Sequence, residues 1–182
     1  MDRVETLFEE IERARRARRL PPVEQWHPTH IGTIDIRIAR DGTWFHEGRP
    51  ILRQPLVDLF ATVLRREGDD YFLVTPGEKL AIVVEDVPFL GVRLAREGKG
   101  RAQRLLLSTN VGDHVPIDAA HPLVMRDSDS QAMPYVTVRG GMEARLVRSV
   151  YYELVELGVE QEGEWLVFSE GTGFPLGMVP TA

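Results

Sequence analysis

The chain has 182 residues, of which 43% are hydrophobic and 27% charged, and its net charge is −6. This length can bury about 70% of the unfolded surface and fits one large domain or two small ones. The acidic balance disfavours nucleic-acid binding, which needs a basic face, and the lack of cysteine excludes disulfides, thiolate metal sites and cysteine nucleophiles.

The N-terminal residues predict a helix over 3–19, because Val4, Leu7, Phe8 and Ile11 recur on one face. Acidic residues in its first half and arginines in its second complement the helix dipole, which we favour over contact of these arginines with RNA or a membrane. The start of the chain is acidic where a secretory signal is basic, and no apolar run reaches the ~20 residues that cross a bilayer. We therefore expect a cytoplasmic, bacterial-type protein with no membrane partner.

A strand and a hairpin are predicted next. Ile34, Ile36 and Ile38 alternate with polar residues, as in a strand with one buried face, and Asp41-Gly42 is typical of a tight hairpin turn. A helix is then predicted from Pro55 to Gly68, with its apolar face formed by Leu56, Phe60, Val63 and Leu64. Strands are predicted at Tyr71–Thr75 and at LAIVVE, joined by the turn PGEK.

The second half of the chain repeats this pattern. FLGVRLAR and AQRLLLS predict one hairpin around EGKG, and YVTVR and MEARLV predict another around Gly140-Gly141. Helical spacing returns at Val150, Tyr151, Leu154 and Leu157 and stops at Gly158, and the strand WLVF closes the unit.

An internal repeat is suggested by an alignment of residues 43–77 with 137–171, which needs no gap but contains only three identities. The turns RDG (40–42) and RGG (139–141) align better at a different offset, so the repeated order is clearer than its register. The predicted fold class is α+β, with duplicated hairpin–helix–strand units in two packed halves and mostly antiparallel sheets. The predicted organisation is an N-terminal helix (1–24), a first half (25–86) and a second half (87–182).

Five phrases occur in this chain in a fixed order: DIRIARDGTWFHEGRPILR, TPGEKLAIVVEDVPF, TNVGD followed by HPL, PYVTVRGGMEA, and VYYELVELG. Together they resemble an uncharacterised bacterial family, domain-of-unknown-function family 1285, over roughly residues 25–177. The resemblance implies a duplicated α+β core whose second half is pleckstrin-homology-like, with a ligand site at the junction of the halves. It also implies a nucleotide-like ligand and a role in signal transduction.

The loop TNVGDHVPIDAAHPL, residues 109–123, concentrates polar side chains between the halves. Asn110 and Asp113 bracket Gly112, and Asp118 precedes His121-Pro122, so these residues are typical of turns. A turn-building role is favoured over direct ligand contact, although polar loops are where binding residues tend to lie.

Lys79 and Arg139 are the two cations that we pair with this loop. Lys79 ends the PGEK turn, and Arg139 precedes Gly140, which permits close approach. Each residue is expected either to form a surface ion pair or to join Asn110, Asp113 and His121 in a site for phosphate or carboxylate. No phosphate-binding loop occurs in the sequence, so nucleotide hydrolysis is not expected.

No catalytic residue and no metal site is predicted. Ser108 and Thr109 lie near His114 without a nucleophile-elbow setting, and His114 and His121 are seven residues apart around a proline. Pro28 separates His27 from His30, and DSDS at 127–130 lacks the glycine and distal glutamate of a calcium loop. We expect no cofactor, and an enzyme is the least favoured class.

Two functional hypotheses follow. The first is a ligand-binding, nucleotide-sensing protein with its site between the halves, formed by Lys79, Asn110, Asp113, His121 and Arg139. The alternative is a protein-interaction adaptor or homo-oligomeric module that binds no small ligand.

Overall fold

A computed structural model describes residues 16–128 and 131–178 of the chain. Most of the predicted N-terminal helix and part of DSDS lie outside these ranges. The described part is mostly sheet with few helices, as expected for the α+β class in its coarse form. No helix in the described ranges is both long and apolar enough to cross a membrane.

The first half forms one six-stranded mixed sheet with a helix after its third strand. The elements are β1 (His30–Ile38), β2 (Trp44–His46), β3 (Arg49–Pro50), α1 (Gln54–Thr62), β4 (Leu64–Glu67), β5 (Asp70–Val74) and β6 (Glu78–Val84). The strand order is β3-β2-β1-β6-β5-β4, and β1 pairs with β6 in parallel while the other pairs are antiparallel. A short 3-10 turn at Val23–Gln25 precedes this sheet.

The second half forms a six-stranded sheet and a three-stranded sheet. The elements are β7 (Phe89–Glu97), β8 (Arg104–Thr109), β9 (His114–Pro116), β10 (Leu123–Ser128), β11 (Gln131–Arg139), β12 (Met142–Leu146), α2 (Arg148–Glu156), β13 (Val159–Gln161), β14 (Glu164–Ser169) and β15 (Thr172–Met178). The larger sheet has the order β10-β11-β12-β7-β8-β9, in which β12 and β7 are parallel, and the smaller one the order β13-β14-β15. The expected predominance of antiparallel pairs therefore holds, but each large sheet contains one parallel pair.

A shared hydrophobic core joins the two halves. Alternation along β1 buries Ile36 and Ile38, and the ring of Trp44 from β2 stacks on Phe60 of α1 with centroids 6.3 Å apart. Residues from both halves belong to one contiguous cluster, to which α2 contributes Val150 and Leu154. Burial of this apolar surface is the main favourable contribution to folding.

All three predicted hairpins are confirmed: Asp41-Gly42 joins β1 and β2, EGKG lies between β7 and β8, and Gly140-Gly141 joins β11 and β12. The predicted C-terminal end of the helix that was expected from Pro55 to Gly68 was wrong. The helix α1 ends at Thr62, because Leu64–Glu67 forms an antiparallel ladder with β5 in which Leu64 lies opposite Leu73. Gly68, at φ +61°, belongs to the β4–β5 turn and does not end a helix.

Several short strands were not predicted, among them β4, β9, β10 and β13. WLVF does not close the second half either, because β15 follows it and pairs with β14. The sequence TGFPLGM contains two glycines and a proline, which weaken the strand signal.

The two halves share the spacing of their elements from the helix onward. The distance along the chain is 94 residues both from Gln54 to Arg148, where the helices begin, and from Glu78 to Thr172, where β6 and β15 begin. The strand pairing differs, because β6 pairs with β1, whereas β15 pairs with β14 in the separate small sheet. The order of elements is thus repeated while the sheets are assembled differently.

The turn after α2 depends on a close contact at Gly158. An added Cβ there would lie 2.1 Å from Nε1 of Trp165, the atom that donates a 2.9 Å hydrogen bond to the carbonyl of Val155. We expect Gly158→Ala to destabilise the protein by about 1–3 kcal/mol, because Trp165 must move and lose this bond. Urea unfolding measures the change. Gly77→Ala is the control, since its Cβ would have only Thr75 Oγ1 within 4 Å, at 4.0 Å; equal losses in the two variants would contradict this prediction.

Candidate functional site

The structure brings two of the five predicted site residues into direct contact. Asp113, in the β8–β9 turn, is 4% exposed, and its Oδ1 accepts a 2.9 Å hydrogen bond from Nε of Arg139 at the end of β11. Arg139 also donates to the carbonyl of Ala61 at 2.6 Å, and its guanidinium lies 4.9 Å from the ring centre of Phe89. Arg139 therefore connects the second half to helix α1 of the first half.

A further arginine, Arg18, completes this cluster and was not predicted. Its Nη1 lies 3.0 Å from Oδ1 of Asp113, and its Nη2 donates to the carbonyl of Val111 at 3.1 Å. The adjoining cavity, lined in part by Arg18, Asp113, His114 and Arg139, has a volume of only about 150 Å³. Both arginines are thus engaged by Asp113 and by main-chain carbonyls, an arrangement that stabilises the junction of the halves.

Asn110 builds the same turn from the other side. Its Oδ1 accepts a 2.9 Å hydrogen bond from the backbone N–H of Leu90, and its own N–H donates to the Leu90 carbonyl at 2.9 Å. The Asn110 carbonyl accepts from Nε2 of Gln54, the first residue of α1, at 3.3 Å. The β1–β2 turn also approaches here, since a Cβ on Gly42 would lie 2.7 Å from Cδ1 of Leu90. The side chain of Asn110 thus fastens the β8–β9 turn to β7, a contact between distant residues and not the local turn bond that its sequence context suggested.

The other two predicted residues have separate partners. Lys79 Nζ lies 2.9 Å from Oε2 of Glu67 on β4 and 4.8 Å from the ring centre of Phe72. The hydrogen bond from Lys79 lowers the pKa of the Glu67 carboxyl, with burial opposing it and Arg65 assisting. These contacts place Lys79 in an ion pair on the sheet of the first half.

His121 bonds within its own loop. Its Nδ1 lies 3.0 Å from Oδ1 of Asp118, which also accepts hydrogen bonds from the backbone N–H groups of Ala120 and His121. Although burial raises the pKa of Asp118, these hydrogen bonds outweigh it and the pKa is lowered. The contacts of His121 form a turn, and they do not join it to Asp113 or Arg139.

A larger cleft lies elsewhere at the junction of the two halves. Its volume is about 530 Å³, and its walls come from the β1–β2 turn of the first half and from β7, β11, β12 and the start of α2 in the second half. The lining residues are Asp41, Leu90, Gln131, Met133, Arg145, Leu146, Val147 and Arg148. The sequence reasoning missed this cleft, because Arg145 and Arg148 have no distinctive motif around them.

Arg145 holds the wall of this cleft in place. Its Nη2 donates to the carbonyl of Arg40 in the β1–β2 turn at 2.6 Å, and its Nε lies 3.3 Å from Oδ2 of Asp86, between the halves. The same Oδ2 accepts a 2.9 Å hydrogen bond from the hydroxyl of Tyr135. The charge of Arg145 is therefore balanced by Asp86.

Arg148 differs from Arg145 in its partners. Its Nη2 donates to the neutral amide oxygen of Gln131 at 3.2 Å, and no carboxylate of the described residues lies within ion-pair distance of it. Arg148 is also the first residue of α2, whose first turn contains no acidic residue and no side-chain cap. The positive end of the helix dipole adds to the charge of this arginine.

Ser108 and His114 form a hydroxyl–imidazole pair in the described part of the chain. Ser108 Oγ lies 2.8 Å from Nδ1 of His114, but Ser108 is only 5% exposed and the two residues are cross-strand partners on β8 and β9. No group of three or more His, Cys, Asp or Glu side chains suited to a metal ion occurs in the described ranges.

Two family models match consecutive parts of the chain. Residues 21–87 match the N-terminal domain of a domain of unknown function, DUF1285, and residues 88–176 match the C-terminal domain of the DUF1285 protein of unknown function. None of the curated proteins matches this chain.

Two solved structures resemble this one. A DUF1285 family protein from Silicibacter pomeroyi DSS-3 is 41% identical, with a TM-score of 0.85 over 93% of this chain and 95% of that one. A DUF1285 family protein from Shewanella baltica OS155 is 30% identical, with a TM-score of 0.54 over 66% of this chain and 90% of that one. The fold of both halves is thus similar to that of the first structure.

The buried carboxylate of Asp113 should be essential for stability. We expect Asp113→Ala to destabilise the protein by roughly 3 kcal/mol, because it leaves the partly buried charges of Arg18 and Arg139 without their shared partner. Chemical denaturation of both the variant and the wild type gives this difference. Asp69→Ala is the control, because the Asp69 side chain is fully exposed and its contact with Arg66 is 3.6 Å long. A loss at Asp113 no larger than that at Asp69 would refute the prediction.

His114 should make stability depend on pH. Burial lowers the pKa of its imidazole, Arg18 and Arg93 lower it further, and Asp113 opposes them. Because the folded pKa is depressed, the folded state resists protonation, and its free energy of unfolding decreases as the pH falls from about 7.5 through the unfolded value of about 6.5. Urea unfolding at several pH values should show a smaller decrease for His114→Gln than for the wild type. His46→Gln, an exposed control, should behave as the wild type, and an unchanged pH dependence in His114→Gln would rule out this assignment.

Proposed function

Because this chain belongs to the DUF1285 family, whose description names no activity, we propose from the cleft itself that the protein binds a small anionic ligand between its two halves. The observation that carries this proposal is the position of Arg148 on the wall of a cleft of about 530 Å³ shared by both halves. An arginine without a carboxylate partner in the described structure is a binding group for a carboxylate or phosphate.

The size and lining of the cleft support this proposal. Sites for small molecules are typically clefts of roughly 300–1,000 Å³ with apolar walls and a few polar groups that fix orientation. Leu90, Met133 and Val147 supply the apolar wall, while Gln131 and Arg148 supply hydrogen-bond donors. A ligand in this position would contact the first half at Asp41 and the second half elsewhere, so its binding energy would depend on how the halves are arranged.

The residues predicted from the sequence have supporting roles in this proposal. Asn110 fixes the backbone of Leu90, which lines the cleft, and the Asp113–Arg139 pair holds the nearby junction. Arg148 takes the anion-binding role that the sequence suggested for Lys79 and Arg139. The nucleotide-like ligand, the role in signal transduction and the pleckstrin-homology likeness of the second half stay predictions.

The alternative, a protein-interaction or homo-oligomeric module, would need a contiguous exposed apolar surface. Ile31 and Val83 are 63% and 59% exposed on the sheet of the first half. Each lies directly opposite a cation in the neighbouring strand, Ile31 beside Lys79 and Val83 beside Arg37. Charges interrupt this surface, so we favour the cleft.

A binding test follows from the position of Arg148. We expect a thermal-shift screen against inorganic phosphate, carboxylates and nucleotides to give at least one stabilising anion, since ligand at ~100 times its Kd adds ~2.7 kcal/mol. Calorimetric titration of that anion should show strongly weakened binding to Arg148→Gln.

Arg53→Gln is the matched control. Arg53 is an exposed arginine at the start of α1, outside the lining of the cleft, and its substitution should leave the affinity unchanged. Failure of every anion to stabilise the wild type, or equal binding to Arg148→Gln and wild type, would refute an anion site in this cleft.

A further inference from the structure

We infer that the ligand of this cleft is a small amino-carboxylate zwitterion, with its carboxylate at Arg148, its ammonium group at Asp41 and an apolar chain between them. This inference rests on the proposed function and specifies the chemical class of the ligand. It follows from the two opposite charges that line the cleft, one in the β1–β2 turn and one at the start of α2, and from the apolar residues of the same lining.

The single positive charge of Arg148 suits a ligand that has one anionic group. Arg145 already has Asp86 as its counter-charge, so Arg148 is the lining cation that lacks a carboxylate partner among the described residues. A polyphosphate would bring several negative charges to this single arginine, and uncompensated charge in a partly enclosed site is unfavourable. A single carboxylate matches the planar guanidinium with two parallel hydrogen bonds.

The carboxylate of Asp41 lines the cleft from the β1–β2 turn, which contacts Leu90 on β7, whereas Arg148 bonds Gln131 on β11, on the far side of β12. Oδ1 of Asp41 accepts a 2.9 Å hydrogen bond from the backbone N–H of Thr43, which orients the side chain at the tip of the β1–β2 turn. The hydrogen bonds from the backbone and side chain of Thr43 lower the pKa of Asp41, so the group is ionised at neutral pH. No ion pair to Asp41 is found in the part of the chain that the structure describes. A second anionic group on the ligand would be repelled here, whereas an ammonium group would be attracted.

The lining also contains apolar side chains, beside Arg145 with its counter-charge Asp86. Leu90 and Met133 come from β7 and β11, Val147 directly precedes α2, and these side chains favour a methylene chain over hydroxyl groups, which would lose hydrogen bonds to water. Gln131, whose amide oxygen accepts from Arg148, keeps that guanidinium in place. A carboxylate, an apolar chain and an ammonium group therefore each have a complementary group in the lining of this cleft.

A matched set of probes tests this complementarity. The two-ended probes are 4-aminobutanoate, 6-aminohexanoate and 8-aminooctanoate, and the single-ended probes are hexanoate, which lacks the ammonium group, and hexylamine, which lacks the carboxylate. Calorimetric or NMR titration of the full chain should show that the best two-ended probe binds at least about tenfold more tightly than either single-ended probe, as expected for one added charged contact.

Two variants test the contacts at Asp41 and at Arg148 independently. Asp41→Asn keeps an oxygen for the Thr43 N–H but removes the charge, and it should lower the affinity for the two-ended probe to that for hexanoate while hexanoate binding does not decrease. Arg148→Gln should weaken the two-ended probe and hexanoate together. Asp69→Asn, which removes an exposed charge outside the cleft lining, should change neither.

The outcomes distinguish this inference from the proposed function. If hexanoate or phosphate binds through Arg148 as tightly as every two-ended probe, or if Asp41→Asn keeps the tenfold preference, the zwitterion is overturned and the anion site stands. If neither these probes nor phosphate binds the wild-type protein, both are overturned.

Discussion

The negative charge of Asp113, buried at the junction of the two halves, is the constraint from which the rest of the arrangement follows. Arg18 comes from the segment before the first sheet and Arg139 from β11, and both meet the same carboxylate oxygen. Breaking such a pair leaves an uncompensated charge, so the three segments are held in one relative position. Because Arg139 also bonds the last turn of α1, the first half is fixed to the same point.

The junction also affects the shape of the cleft, because the turn that contains Asp113 contacts the cleft wall. Asn110 lies in that turn and bonds both backbone polar groups of Leu90, so the wall of the cleft at Leu90 is positioned from the junction. The approach of Gly42 to Leu90 leaves no room for a side chain, and at φ +86° the backbone favours glycine there. The turn that carries Asp41 is thereby placed against the second half. A buried charge that stabilises the fold therefore also helps to determine the geometry of the cleft.

The sequence predicted the parts of the fold whose signal is local. The alternation of Ile34, Ile36 and Ile38 and the helical spacing of Val150 and Leu154 report the face that each element buries. The strand Leu64–Glu67 looked helical, because its register depends on pairing with β5, which no local pattern records. The same limit applies to the site. Asp113 and Arg139 were recognised as a polar turn and a cation near a glycine, but their partners are tertiary. Arg145 reaches the wall of the cleft through the parallel pairing of β12 with β7, which is a contact between distant parts of the chain. In the sequence alone it therefore looked like an ordinary strand residue.

The first residues of the helices in the two halves have different partners. Gln54 and Arg148 are the first residues of α1 and α2, 94 residues apart. Gln54 is neutral, and its amide donates to Asp58 and to the carbonyl of Asn110, so the start of α1 is part of the junction. Arg148 is charged, and its hydrogen-bond partner among the described residues is the neutral amide of Gln131. Since the elements around the two helices follow the same order, the change from an amide to a guanidinium at one position converts a structural contact in the first half into a candidate binding group in the second.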